Sequence, residues 1–327
     1  MKHILMGMLL LPLIGFGQDT IFVKRATSPP VIDGLLHDSI WSNTTYVDDY
    51  MTFIPDFDKA PTYPTVAYMT YDEENLYFAF RCFDGEVDKI KSAVTARDNI
   101  ATDDFICINL DPFNDHQGLT AFYVNPSGVQ MDSRFSAGIE DPTVDLVWYS
   151  ESVIDEQGYT VEVRIPLKSI RYRNGETTVM SVFLERKISR LSEQSCSPPM
   201  DPDKGYAFLT QMTPIAYQGL KKNILLEAIP AFTYTKRFRD ESGEWNRYYD
   251  RGEFSLTAKY GITSDLVLDA TYNPDFSQVE SDAGQVDINL RYALYYPEKR
   301  PFFLEGKENY HLSAINNTEV DPVINIV

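Results

Sequence analysis

Apolar and polar residues alternate in short, turn-punctuated runs along this chain, and a period of two predicts strands. After Asp104, Ile106, Ile108 and Leu110 alternate with Phe105, Cys107 and Asn109, which gives a strand with one strongly apolar face and one mixed face. Turn chemistry follows in Pro112, Asn114, Asp115 and Gly118, because Asn and Asp side chains cap their own backbone and glycine admits positive φ. The chain is expected to return through Leu119 to Val124 and to turn again at Asn125-Pro126-Ser127-Gly128. Residues 65–72 and 76–83 read as a hairpin across Glu73-Glu74-Asn75, and residues 144–153 pair with 159–165 across Asp155-Glu156-Gln157-Gly158. With residues 179–188 and 205–212 as further strands, the pattern predicts an antiparallel β-sandwich over residues 18–212.

From Thr213 to Val327 the texture changes. Ile224, Leu226, Ala228, Pro230, Phe232 and Tyr234 form one parity of a long strand, and Phe254, Leu256, Ala258 and Tyr260 repeat it. Leu266, Leu268, Ala270 and Tyr272 repeat it once more. Apolar outside, polar inside and aromatic at the ends is the pattern of outer-membrane barrel strands. Residues 237–252 are expected as a long charged loop and residues 261–265 as a short turn. Because long barrel loops face outward and short turns face the periplasm, this order leaves the preceding sandwich in the periplasm. Three or four strands do not close a barrel, which takes at least about eight. The 327 residues are therefore expected to be the front of a longer protein or the product of a truncated gene. The fold class is all-β: a sandwich, then the first strands of an incomplete outer-membrane barrel.

Address and charge narrow the partners. Lys2 and His3 precede an apolar run from Ile4 to Phe16, and Gly15-Phe16-Gly17 supplies a small-x-small cleavage pattern, so residues 1–17 read as a signal peptide. That run is shorter than the roughly 20 apolar residues a spanning helix needs. Removing it takes one lysine and no acid, moving the formal charge from −19 to −20. Such an excess repels nucleic-acid phosphates and suits divalent cations or neutral ligands. Cys82, Cys107 and Cys196 are an odd set; the first two fall in apolar strand patterns and are expected as buried reduced thiols, with no disulfide framework.

Candidate chemistry is sparse. In the alternation around residue 148, Trp148 groups with Ser150 and Ser152, while Val147, Tyr149 and Val153 take the other face, which reads as an exposed indole on a polar face. Sugar rings stack on such a platform through C–H patches, and their hydroxyls need polar partners such as Arg97, Asn125 or Tyr123. Asp103, Asp104, Asp111 and Asp115 crowd one short stretch and are the candidate ligands for a Ca²⁺ ion, which takes six to eight oxygens. Trp41 reads as a core aromatic. Catalysis has little support. Glu162 and Glu185 form a carboxyl pair only by accident of strand pairing and read as a surface ladder opposite Arg164 and Arg186. His37, His116 and His311 lack metal-ligand spacing, and no nucleophile elbow or phosphate-binding loop occurs.

The residues Arg97-Asp98, Asp103-Asp104, Leu110-Asp111-Pro112, Val124-Asn125-Pro126, Gly128 and Asp132 together resemble the middle of the family 9 carbohydrate-binding module. Asp33-Gly34, Asp38 and Trp41, spaced as Asp-Gly-x-x-x-Asp-x-x-Trp, resemble its opening signature. The segments YNPDFSQVE from Tyr272 and YPEKRPFFLEG from Tyr296 resemble hallmarks of a Gram-negative outer-membrane family of unknown function, domain of unknown function family 5916. The resemblance implies a glycan ligand gripped by stacked aromatics, an outer-membrane setting and a role in carbohydrate catabolism without an active site of its own. Two other readings stay open. One is a structural or transport barrel whose sandwich is a periplasmic dock that binds no sugar. The other is a glycoside hydrolase, acting on O-glycosyl bonds, or its accessory subunit.

Overall fold

The alternating runs become strands packed in two sheets. The computed structural model describes residues 20–136, 138–142, 144–221, 226–241, 244–262, 266–273, 311–312 and 324–325; the expected leader lies outside them. In chain order the strands are β1 (Ile21–Phe22), β2 (Thr45–Val47), β3 (Met51–Ile54), β4 (Thr65–Tyr71), β5 (Asn75–Phe83), β6 (Phe105–Asp111) and β7 (Gly118–Val124). They continue as β8 (Gln130–Ser136), β9 (Ile139–Asp141), β10 (Tyr149–Asp155), β11 (Gly158–Pro166), β12 (Thr177–Ile188), β13 (Glu193–Ser197) and β14 (Thr213–Gln218). One sheet has the order β1-β14-β12-β6-β7-β8-β9, with β13 linking β12 to β3; the other runs β10-β11-β5-β4-β2. The one parallel neighbour pair in these sheets is β1 with β14.

The parity seen in β6 decides the core. Ile106, Ile108 and Leu110 point to the second sheet and pack with Phe122, Val182 and Leu184 against Met69, Phe78, Phe80, Val161 and Val163. Each large apolar side chain fully buried this way stabilises by roughly 1.5–3 kcal/mol. The mixed parity is covered too: Phe105 and Cys107 join Phe183, Cys196, Leu209 and Met212 in a second cluster on the outside of the first sheet. All three cysteines are buried and unpaired.

Residues 205–212 are not the expected strand. They belong to a 3₁₀ segment, Pro202–Gln211, which drops Leu209 and, just after it, Met212 onto that outer cluster. Asp201 caps it by accepting from the Asp203 amide at 3.0 Å. Pro202 offers no amide to a ladder and Gly205 takes φ +51°, so an extended run is broken there. The next strand, β14, is hydrogen-bonded between β12 and β1, so the sandwich reaches Gln218 and the boundary expected at 212 moves past that strand.

Beyond it a separate antiparallel sheet is formed by β15 (Leu226–Glu241), β16 (Glu244–Gly261) and β17 (Val267–Tyr272). In the long charged loop expected at 237–252, residues 237–241 and 244–252 instead continue the strands of the ladder: Arg237 pairs Tyr249 and Asp240 pairs Trp245, after a register shift at Arg237/Phe238. Cross-strand pairing satisfies backbone groups that a loop would leave to water. Leu226, Phe232, Tyr234, Phe254, Tyr260, Leu268 and Tyr272 share one face and are 46–73% exposed. Among the described residues no helix is long and apolar enough to cross a membrane. The YPEKRPFFLEG segment and most of YNPDFSQVE lie outside the described residues.

Candidate functional site

The early Asp-Gly-x-x-x-Asp-x-x-Trp spacing is explained by one distant carboxylate. Glu162 stands mid-strand on β11, on the outer face of the second sheet, and is fully buried under the chain around residues 30–41. Its Oε2 accepts from the backbone N–H of Asp33 at 3.0 Å and of Gly34 at 2.9 Å; its Oε1 accepts from Trp41 Nε1 at 2.7 Å. Gly34 holds φ +80°, and a Cβ there would meet Val153 Cγ2 at 2.9 Å. Asp38 in turn accepts from the Val31 amide at 2.8 Å. Burial pushes the Glu162 carboxyl up, and the hydrogen bonds it accepts oppose that shift. Trp41 is buried as its spacing suggested. The surface-ladder reading of Glu162 is corrected: a buried carboxylate must be hydrogen-bonded, and here it is the clasp for the N-terminal segment.

That segment makes one wall of a cleft of about 700 Å³, with Pro30, Val31 and Ile32 facing Thr95, Arg97 and Gln130. The start of β10 forms its floor and rim through Trp148, Tyr149, Ser150 and Glu151, and Arg164 closes one side. Arg97 donates to Asp132 Oδ1 at 2.5 Å, to Gln130 Oε1 at 2.9 Å and to the Leu146 carbonyl at 3.0 Å. Its guanidinium carbon lies 5.9 Å from the centre of the Trp148 ring. Gln130 Nε2 donates to Ser150 Oγ at 2.9 Å. Tyr149 is 44% exposed, and its ring carries the Arg164 guanidinium at 4.2 Å.

Of the four expected sugar contacts, Arg97 and Trp148 meet in this cleft, and Trp148 is not the exposed platform. It is 4% exposed, packs edge-on to Phe122 at 5.3 Å and donates to Asp132 Oδ1 at 3.4 Å. The alternation holds with its sides exchanged: Trp148, Ser150 and Ser152 turn inward, whereas Val147, Tyr149 and Glu151 turn outward. Polarity misled there, since two serines beside a tryptophan suggest solvent. Asn125 is buried and its side chain is fully engaged: it donates to Asp103 Oδ2 and the Ala93 carbonyl, both at 2.9 Å, and accepts from the Ser127 and Val129 amides. Tyr123 points to the other side of the first sheet, where its hydroxyl donates to Glu140 at 3.0 Å and its ring packs on Phe105. Neither reaches the cleft. The aromatic that does is Tyr149, one residue along from Trp148.

The four aspartates proposed for calcium are divided by the length of β6. Asp103 and Asp104 precede the strand; Asp111 ends it and Asp115 lies in the turn beyond. Seven residues at about 3.3 Å each put roughly 20 Å between the pairs. Asp103 is engaged by Asn125 and the Ala93 amide, Asp104 by the Ser189 amide with Arg190 3.9 Å away. Asp111 accepts from the amides of Phe113, Asn114 and His116. These groups cap backbone at two ends of a strand and do not compose one site for a cation.

Glu185 and Arg186 are also buried rather than laddered on the surface. Glu185 lies between Cys107 and Cys196 in register, under the outer cluster, and burial followed by the nearby Glu140 charge pushes its carboxyl up to about 7. Arg186 donates to the Pro64 carbonyl at 3.0 Å and the Phe83 carbonyl at 2.8 Å. Glu162 and Glu185 thus occupy opposite outer faces of the sandwich. Sheets stacked about 10 Å apart lie between the two carboxyls, more than the roughly 5–10 Å a glycosidase pair requires.

A family model described as carbohydrate family 9 binding domain-like matches residues 32–189, and one described as a domain of unknown function (DUF5916) matches residues 228–315. Among solved structures, a family 9 carbohydrate binding module from Caldicellulosiruptor kristjanssonii in complex with cellotriose is 18% identical. The match covers 63% of this chain and 96% of that one, with a TM-score of 0.46. Its complex with glucose gives 18% identity, 63% and 99% coverage and a TM-score of 0.43. No curated protein matches the chain.

Proposed function

We propose that this protein captures a glycan in the cleft beside Tyr149, serving carbohydrate catabolism at the cell envelope, a reading supported by the match of residues 32–189 to the carbohydrate family 9 binding domain-like model. The observation that carries the reading is Tyr149, a residue 44% exposed on the rim of a polar cleft. An exposed ring offers an apolar face to the C–H side of a sugar, while Gln130, Ser150 and Glu151 beside it offer hydrogen bonds to hydroxyls. A calorimetric screen of the full chain against neutral and charged oligosaccharides tests it, with Tyr149→Ala beside the parent. Binding that falls at least about tenfold in the variant, with melting unchanged, supports the platform; loss of one aromatic contact is worth on that order. A folded protein silent across the whole panel would move the reading to a module that docks a protein instead.

The second sheet system supports a membrane setting. Its apolar face is the exposed one, whereas Ser255 on the other parity is buried and the Thr257 and Thr271 hydroxyls sit 3.1 Å apart. A sheet facing water shows the reverse. We infer that this face meets lipid as part of an outer-membrane β-barrel, with β15 and β16, at 16 and 18 residues, running past the about 9–11 residues a crossing needs. With residues 237–241 and 244–252 in strands, loop lengths no longer argue for sidedness. Protease added to intact cells tests it: a spared sandwich is periplasmic, a degraded one faces outward.

A further inference from the structure

Arginines in the sandwich ordinarily face an acid. Arg25 meets Glu73, Arg81 meets Asp155, Arg97 meets Asp132 and Arg190 meets Asp84, all at 2.5–2.7 Å. Arg164 does not. Its neighbours in register are Tyr149 on β10 and Tyr77 on β5, so neither side offers a carboxylate. Its Nε is buried and has no hydrogen-bond partner among the described residues, while the guanidinium carbon stands 4.2 Å from the Tyr149 ring centre. The acid two residues before it, Glu162, is spent on Asp33, Gly34 and Trp41. Tyr77 gives its hydroxyl to Asp72. Arg97, across the cleft, is neutralised by Asp132. In a protein of formal charge −19, the cleft therefore presents one guanidinium that makes no ion pair among the described residues, with the exposed Glu151 on the same rim.

Resting on the glycan reading above, we propose that the cleft selects an acidic sugar, a hexuronic acid in an oligosaccharide, with its carboxylate on Arg164 and its ring on Tyr149. A planar guanidinium recognises carboxylate with paired N–H donors, and stacking on Tyr149 holds that plane in place. Glu151 on the same rim and the negative field of the whole chain oppose densely charged polymers, so the preference is for sparse carboxylates over polysulfates.

The test uses the full chain and a panel of uronic-acid oligosaccharides, each beside its methyl ester, with neutral oligosaccharides as a third set. The parent is expected to bind at least one acid about ten- to a hundredfold tighter than its ester, the worth of a charge-assisted hydrogen bond. Arg164→Gln should bring acid and ester together, Arg164→Lys should keep part of the gap, and added salt should narrow it in the parent. Equal binding of every acid and its ester, with neutral sugars bound, overturns the acidic preference and leaves the glycan reading standing. No binding to any of the three sets by a folded protein overturns both.

Discussion

The sandwich and the three-stranded sheet after it are built from the same alternating pattern and do opposite things with it. In the sandwich the apolar parity of β6 is sealed between sheets and even the mixed parity is roofed by the Pro202–Gln211 segment. In β15–β17 the apolar parity is the one left open. A period of two announces that a strand has two faces; which face is inside depends on what the rest of the chain brings to it. The exchange at Trp148 and Tyr149 is the same ambiguity at the scale of one strand.

The sharpest way to break this contrast is to open the sandwich where it is closed. Glu162→Ala leaves the Asp33 and Gly34 amides and the Trp41 indole without their acceptor, and should cost about 3 kcal/mol or more by denaturant unfolding, at 1–3 kcal/mol for each stranded group. A cost below about 1 kcal/mol would mean that the N-terminal flap is held by something else. Next in size is Phe232→Arg on the open face, where a cationic side chain at mid-membrane depth in a lipid-facing wall costs about 2–4 kcal/mol. It should deplete the protein from the outer-membrane fraction and leave the sandwich melting alone; a variant that fractionates normally removes lipid from that face.

Third is the response to pH. The Glu185 carboxyl is raised in the fold to about 7 by burial first and Glu140 second, with Asn109 and Lys187 opposing. The folded state therefore holds a proton that the unfolded chain has already released, so stability falls as pH rises from the ordinary carboxylate range toward 7 and then levels off. Glu185→Gln should flatten that slope and gain on the order of 2 kcal/mol at pH 8; a parallel slope in parent and variant assigns the proton elsewhere. The smallest effect on folding belongs to Tyr149→Ala, expected within about 0.5 kcal/mol because the residue is on the surface, even though glycan binding is expected to fall about tenfold.

What was legible in the chain was local. The β4–β5 hairpin follows from its turn, where Asp72 accepts from the Glu74 and Asn75 amides at 2.7 Å. The inner face of β6 and the buried thiols follow from alternation. What was not legible depends on partners far along the sequence. Glu162 meets Gly34 across 128 positions, and nothing near either residue announces it. Asn125 looked free for a ligand because its partners, Asp103 and Ala93, come from another turn. The aspartates looked like a cluster because sequence proximity hides the length of an extended strand. In the candidate cleft, sequence singled out Arg97 and Trp148, which line it, but not Tyr149, the exposed aromatic one residue along.

The last strand of the sandwich has a mechanical meaning. β14 lies between β12 and β1, with the Val23 amide bonded to the Ala216 carbonyl on one side and six paired residues on the other. Tension entering the module from residue 219 onward would reach a strand held by six pairs to β12 and two to β1, so ladders on two sides must slip together before it pulls free. A protein tethered through that end could hold a polymer that drags on it, because its point of attachment is an interior rail and not a fringe.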